Sequence, residues 1–296
     1  MTSMQAKLEI IDTIPAYLAY WDQVKDLPID EQIESWNNVY LKPWPGLVEL
    51  QIEDYTSQGL SWKKIAREKV FPYLSGRFSA IHVAHQNLIK VCEPVFRKSQ
   101  QLFTLECEVI IVIYVGIGCG AGWVTSYQDS PAILFGLENV AKCGWSNRDA
   151  ISGLVAHEFG HLIHEQLRRR NQKTNGSGPW WQLYSEGFAQ YCERMILRSD
   201  SWHQAMGEDE GWLRWCQANK GWLASEFLNT VDTGQPTTPF FGSWFDIKGK
   251  SQTGYFLGNE VISKLVKGVR LEDIALIGDV ENTLRPILEE ICAEVL

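Results

Sequence analysis

The feature that most restricts the fold of this chain is a pair of histidines four residues apart, in His157-Glu158-Phe159-Gly160-His161. That spacing brings two imidazoles to one face in an α-helix, where residues four apart lie about one turn above one another. The flanking residues ask for the same conformation. Ile151, Leu154, Val155, Leu162 and Leu167 recur at helical spacing and form an apolar stripe. Ser146-Asn147-Arg148-Asp149 fits a capping box, with Ser146 as the cap and Asp149 three residues on, so the helix is predicted to begin near Asn147. Arg168, Arg169 and Arg170 fall at its far end, where cations suit the negative pole of the helix dipole.

Two histidines on one helix face with a glutamate between them form a donor pattern for zinc. A catalytic zinc site takes three protein ligands and leaves a fourth position for water. One more donor is therefore required. A histidine six residues past His161 would serve, but Leu167 stands there. His164 lies seven residues from His157, about 10.5 Å along the axis, so one ion cannot take His157, His161 and His164 together. His164 reads as a packed core residue. The remaining route is a glutamate from a following helix, predicted over Trp180 to Leu197 after the polar loop Asn171 to Pro179. Glu186 sits there in Tyr184-Ser185-Glu186-Gly187-Phe188-Ala189-Gln190-Tyr191, where small residues permit close approach and aromatic ones bury the contact. An acid on such a face is costly unless paired or bound to metal. Glu165 and Glu193 read as solvated or supporting groups.

The rest of the chain divides by pattern. From about Ile29 to Leu102 apolar residues recur at helical spacing, with Ile33, Trp36, Val39 and Tyr40 on one face. Leu105 to Val115 is a Val- and Ile-rich run that reads as a strand, and Ala132 to Leu137 reads as another. The glycine cluster Gly116 to Gly120 lacks the lysine of a phosphate loop and reads as a turn between strands. A Trp-rich helical stretch (Trp202, Trp212, Trp215, Trp222) reads mainly as core, and helices are predicted from about Thr253 onward.

Charge and cysteine usage bound the partners. A net charge of -9 argues against nucleic acid and anionic membrane surfaces. The most apolar run, Val109 to Gly118, is half the length a membrane-crossing helix needs, and residues 1–20 lack the pattern of a signal peptide. Seven cysteines without a CxxC pair suit reduced thiols and a cytoplasmic setting.

The motifs resemble those of the gluzincins, the thermolysin-like zinc metallopeptidases with HExxH and a downstream glutamate. More narrowly, Ile133 to Tyr191, with LFGLENVA, GW, LVAHEFGHLIH and YSEGFAQY, is similar to a bacterial family of predicted zinc-dependent proteases, and Thr253 to Gly258 is similar to a recurrent segment of it. The resemblance implies a mainly helical α+β chain with a zincin-like fold: a small sheet beside the HExxH helix, a C-terminal helical lobe, and the zinc cleft between. The segments are 1–102 (helical scaffold), 103–170 (sheet and HExxH helix) and 171–296 (C-terminal lobe). It implies one Zn2+ held by His157, His161 and Glu186, with Glu158 as the general base and a peptide or protein as substrate. It also implies a rim strand, Ala132 to Leu137, antiparallel to the substrate. Gly136-Leu137-Glu138-Asn139 is similar to the GxMEN motif in which the acid grips a substrate's amino terminus, though Leu137 stands where Met is expected. Tyr255, flanked by glycines, is the candidate oxyanion donor, with Tyr191 the second choice, and Gln190 is the candidate for orienting a zinc histidine. Two alternatives stay open: an aminopeptidase rather than an endopeptidase, and a binding or regulatory protein that keeps the fold without turnover. A chance HExxH in a structural helix predicts no stoichiometric metal.

Overall fold

The computed structural model describes residues 7–103, 105, 108–198, 200–207, 211–242 and 245–294. It is mainly helical with one four-stranded sheet. The chain forms two compact units, Met1–Gln100 with Glu106–Val155, and Gln101–Leu105 with Ala156–Leu296.

The first unit is built on a sheet of β1 (Leu8–Asp12), β2 (Val109–Tyr114), β3 (Trp123–Tyr127) and β4 (Ser130–Gly136), in the order β1-β2-β4-β3. β1, β2 and β4 are parallel and β3 is antiparallel to β4, with Ile10 opposite Ile111, Val112 opposite Leu134 and Val124 opposite Ile133. Every residue of β2 is buried, as the unbroken apolar run requires of a central strand covered on both faces. β1, a strand in the stretch that the sequence reads as helical scaffold, pairs the N-terminal segment with β2 of the sheet. Between β1 and β2 run α1 (Ile14–Val24), α2 (Ile29–Ser35), α3 (Pro45–Ser57), α4 (Trp62–Ile65) and α5 (Phe71–Phe103), which together supply the long crossover a parallel pair needs. A π-helical turn at Trp36–Tyr40 resets the helical phase, leaving Trp36 and Tyr40 buried and Val39 exposed, contrary to the single face read from the sequence.

β4 is paired on both sides, by β2 and β3. The rim strand expected at Ala132 to Leu137 is therefore an interior strand with no free edge, and Leu137 already belongs to α6 (Leu137–Lys142). The edge position is taken by β3, a half-exposed strand that the sequence pattern did not announce. Its hairpin turns on Gln128 and Asp129, both with positive φ, the two-residue conformation that matches strand twist.

α7 (Arg148–Arg170) carries the HEFGH segment. Its cap is Asn147, whose Oδ1 accepts the Ala150 N–H at 2.9 Å. The Ser146 hydroxyl, expected in that role, is buried without a hydrogen-bond partner among the described residues.

The second unit contains the remainder of α7, α8 (Gly178–Ile196), a 3-10 turn at His203–Met206, α9 (Trp212–Ala218), α10 (Lys220–Asp232), α11 (Thr238–Phe241), α12 (Thr253–Leu265), α13 (Leu271–Ile274) and α14 (Val280–Ala293). Trp202 and Trp212 pack with ring centroids 6.0 Å apart, and Trp202 meets Phe256 at 5.7 Å, so these tryptophans are core. Arg168 is not a solvated helix-end cation. It is buried, donates to the carbonyls of Thr174, Ala275 and Ile277, and lies over the Trp181 ring, while Arg169 and Arg170 are exposed. No described helix is long and apolar enough to cross a membrane.

Candidate metal centre

Three helices of the second unit meet where their side chains vanish. A Cβ at Gly160 of α7 would lie 2.7 Å from the Ala189 Cα of α8, and one at Gly187 of α8 would lie 2.4 Å from the Gly258 carbonyl carbon of α12. These are backbone-to-backbone approaches that any larger residue would prop apart. The small residues of HEFGH, SEGFA and GYFLG therefore bring α7, α8 and α12 within side-chain reach of one another.

At that meeting point the Glu186 Oε2 lies 3.1 Å from the Nε2 of His157 and 3.2 Å from the Nε2 of His161. The two imidazole rings are 4.9 Å apart and nearly perpendicular. His157 is buried, whereas His161 and Glu186 keep 18% and 17% of their side chains exposed, so the donor triangle has one face toward solvent.

The electrostatics separate the roles. Burial pushes His157 down to about 4, which keeps its ring neutral and its lone pair available. Burial lowers His161 as well, but the Glu186 carboxylate beside it more than reverses this and carries it up to about 9. Burial raises Glu186, yet His161 and His157 together hold its carboxyl well below the usual carboxylate range. Glu158, also buried, is driven by burial from 4.5 to about 7, with His161 opposing the rise and Glu186 adding to it. Its Oε2 has no hydrogen-bond partner among the described residues.

A second group lies behind the first. His157, Glu193 and His203 are all buried, and with His157, His161 and Glu186 they make the two clusters among the described residues that could hold a metal ion. Glu193 is not solvated: it has no exposed surface, its Oε1 accepts the Ser201 hydroxyl at 2.8 Å and the His203 N–H at 3.1 Å, and its Oε2 lies 2.7 Å from His203 Nδ1. Glu193 was legible in part, since it follows Glu186 by seven residues and so shares its helix face. His203 was not, because no spacing relates it to HEFGH and only the chain reversal after α8 brings it in.

The other predicted residues fall as follows. The Tyr255 ring on α12 is 5.4 Å from the His157 ring and 6.4 Å from that of His203. The Gln190 amide donates to the Ser201 carbonyl and its oxygen accepts from Gln204, with no hydrogen bond to His157 or His161 among the described residues. Glu193 faces His157 in its place. Tyr191, five residues past Glu186, is about 140° round the helix from it, and among the described residues it makes no ring contact or hydrogen bond with the cluster. His164 is a core residue as expected, stacked on Trp181 and Phe188 and held by burial near 3.

Gly136 and Glu138 belong to the first unit and do a different job there. The Glu138 carboxylate is fully buried and accepts the N–H of Gly116 at 2.7 Å on one oxygen and that of Gly118 at 3.0 Å on the other. A Cβ at Gly136 would meet the Gly120 carbonyl at 2.5 Å and Glu138 Oε1 at 3.2 Å. The expected amine-gripping acid is thus a clasp for the glycine cluster, which is a turn after β2 whose amides converge on a carboxylate. Burial raises Glu138 to about 7, against the lowering effect of those amides.

Comparison of the chain with protein-family models, with curated proteins and with solved structures returns no match.

Proposed function

We propose that this protein is a zinc-dependent metallopeptidase of the HExxH-plus-glutamate type, holding one zinc on His157, His161 and Glu186. The observation that carries the proposal is the convergence of two imidazole Nε2 atoms on one carboxylate oxygen, at 3.1 and 3.2 Å. Those separations are close to the edge, about 3.4 Å, of a tetrahedron with bonds near 2.0–2.1 Å. Two nitrogens and one carboxylate oxygen also suit a borderline metal. The partly exposed triangle supports this set over the fully buried His157, Glu193 and His203, because hydrolysis needs a position open to water.

Bound zinc would supply a Lewis acid that polarises a carbonyl and makes a water acidic near neutral pH. The chain's own residues then divide the proton work. Glu158, on the same helix and one residue from His157, takes the proton of the attacking water and returns it to the leaving amine. Its pocket suits a carboxyl that must exchange a proton near neutrality. Tyr255, whose ring stands beside His157, is the side chain we assign to the oxyanion. Cys92, Cys119, Cys192 and Cys292 are free thiols, which supports a reducing compartment such as the cytoplasm.

The test is metal analysis joined to peptide-library cleavage. One zinc per chain is expected, with cleavage abolished by a chelator. Zinc bound without any cleavage would favour a binding protein, and an absence of stoichiometric zinc would overturn the reading. Cleavage confined to the first peptide bond would make it an aminopeptidase.

A further inference from the structure

We infer that Glu193 and His203 form a positioning clamp behind the metal centre, which fixes the His157 ring with Nε2 toward Glu186 and His161 and Nδ1–H toward Glu193. The inference rests on the proposed zinc site and assigns its supporting residues.

The geometry is unusual for a protein interior. Glu193 and His157 are both buried, no lysine or arginine pairs with Glu193 among the described residues, and its contacts are to Ser201, His203 and, at 3.9 Å, the Nδ1 of His157. A carboxylate removed from water costs several kcal/mol unless it is hydrogen-bonded or paired. Here the bonds are arranged asymmetrically. Ser201 and the His203 backbone hold Oε1, while His203 Nδ1 holds Oε2 and turns it to the far edge of the His157 ring. Nδ1 of His157 is buried without a hydrogen-bond partner among the described residues. Zinc on the proposed site would take the lone pair of Nε2, the atom 3.1 Å from Glu186, and leave the ring proton on Nδ1, 3.9 Å from Glu193 Oε2. A histidine that ligates a metal through one nitrogen generally donates the other to such a carboxylate, and loss of that partner typically lowers affinity 10- to 100-fold. His203 acts through Glu193, packing its ring 5.1 Å from that of His157.

The closing experiment compares wild type with Glu193→Gln, His203→Ala and His203→Asn by competitive zinc titration, metal analysis and 15N spectroscopy of the histidine rings. Asn places its amide donor where His Nδ1 stands, so it keeps the bond to Glu193 and removes the rest of the ring. We expect one zinc per wild-type chain, bound through Nε2 of His157 with a proton retained on Nδ1. Zinc affinity should fall roughly 10- to 100-fold in Glu193→Gln and about tenfold in His203→Ala. His203→Asn should recover most of the loss, which a merely space-filling role would not produce. Unchanged affinity in Glu193→Gln and His203→Ala would overturn the clamp while leaving the zinc site standing. A second ion that disappears in His203→Ala and His203→Asn would also overturn it, by making the buried trio a metal site. Should either variant fail to fold, the wild-type spectrum decides: zinc on Nδ1 of His157, or a proton on Nε2, contradicts the clamp. A wild-type chain that binds no zinc removes both proposals.

Discussion

Each unit of the chain holds a glutamate beside a glycine-bearing segment, and the two are satisfied in opposite ways. In the first, Glu138 is closed by main-chain amides, from Gly116 and Gly118, that are fixed by the turn after β2. In the second, Glu186 is held by two imidazole nitrogens, and Glu193 by a third imidazole, a hydroxyl and one amide. Amides cannot give up a proton or leave, so a carboxylate clasped by them is committed to structure. Imidazoles can exchange a proton for an ion, so a carboxylate held by them can become a ligand. Burial raises Glu138 to about 7, whereas at Glu186 the same upward push is outweighed by the histidines, which favour its charged form.

The contrast can be broken at several points. The largest effect is expected at Glu158→Gln, which should retain zinc and lower peptide hydrolysis by about 10²- to 10⁴-fold, measured as kcat/KM on the best library peptide. Unchanged hydrolysis would remove Glu158 from the chemistry. Next, Glu186→Gln should lose stoichiometric zinc, whereas Glu138→Gln should keep it. Equal zinc loss in the two would erase the distinction between ligand and clasp. Glu138→Gln should instead lower stability by about 1–3 kcal/mol, since an amide NH2 would face an N–H that now has an acceptor.

Stability should also carry the mark of Glu138 in its pH dependence. The folded chain holds this proton more tightly than the unfolded one, so the contribution is fully present below about pH 4.5 and is lost as pH rises through about 7. The span is about 3 kcal/mol. Urea denaturation across that window should show a declining stability in wild type and a flatter line in Glu138→Gln; equal slopes would place the titration elsewhere. The smallest effect tests the start of α7, the helix that carries His157 and His161. Asn147→Ala should cost about 1 kcal/mol by thermal or urea unfolding, and Ser146→Ala much less, because only Asn147 caps the helix.

Much of α7 and α8 could be read directly from residue order. The stripe Ile151, Leu154, Val155 and Leu162 is buried as its period demands, and His164 is stacked in the core as the distance argument required. Glu186 reaches the histidine pair because Gly160 and Gly187 leave room for it, and both glycines stand in the motifs themselves. Less was legible in the first unit. β1 pairs with a strand a hundred residues away, and β3 is a short half-exposed strand whose turn carries Gln128 and Asp129 rather than an Asn-Gly signal.

By itself the sequence determined the HEFGH helix, the face that carries His157 and His161, the core setting of His164 and the pairing of Glu186 with the two histidines, because each follows from a 3.6-residue repeat and the chemistry of single side chains. The tertiary structure alone decided that β4 is interior, that Glu138 clasps a turn, and that Glu193 and His203 stand behind His157. Those outcomes depend on which segments meet across long stretches of chain, and no local period encodes the partner that a buried polar group finds.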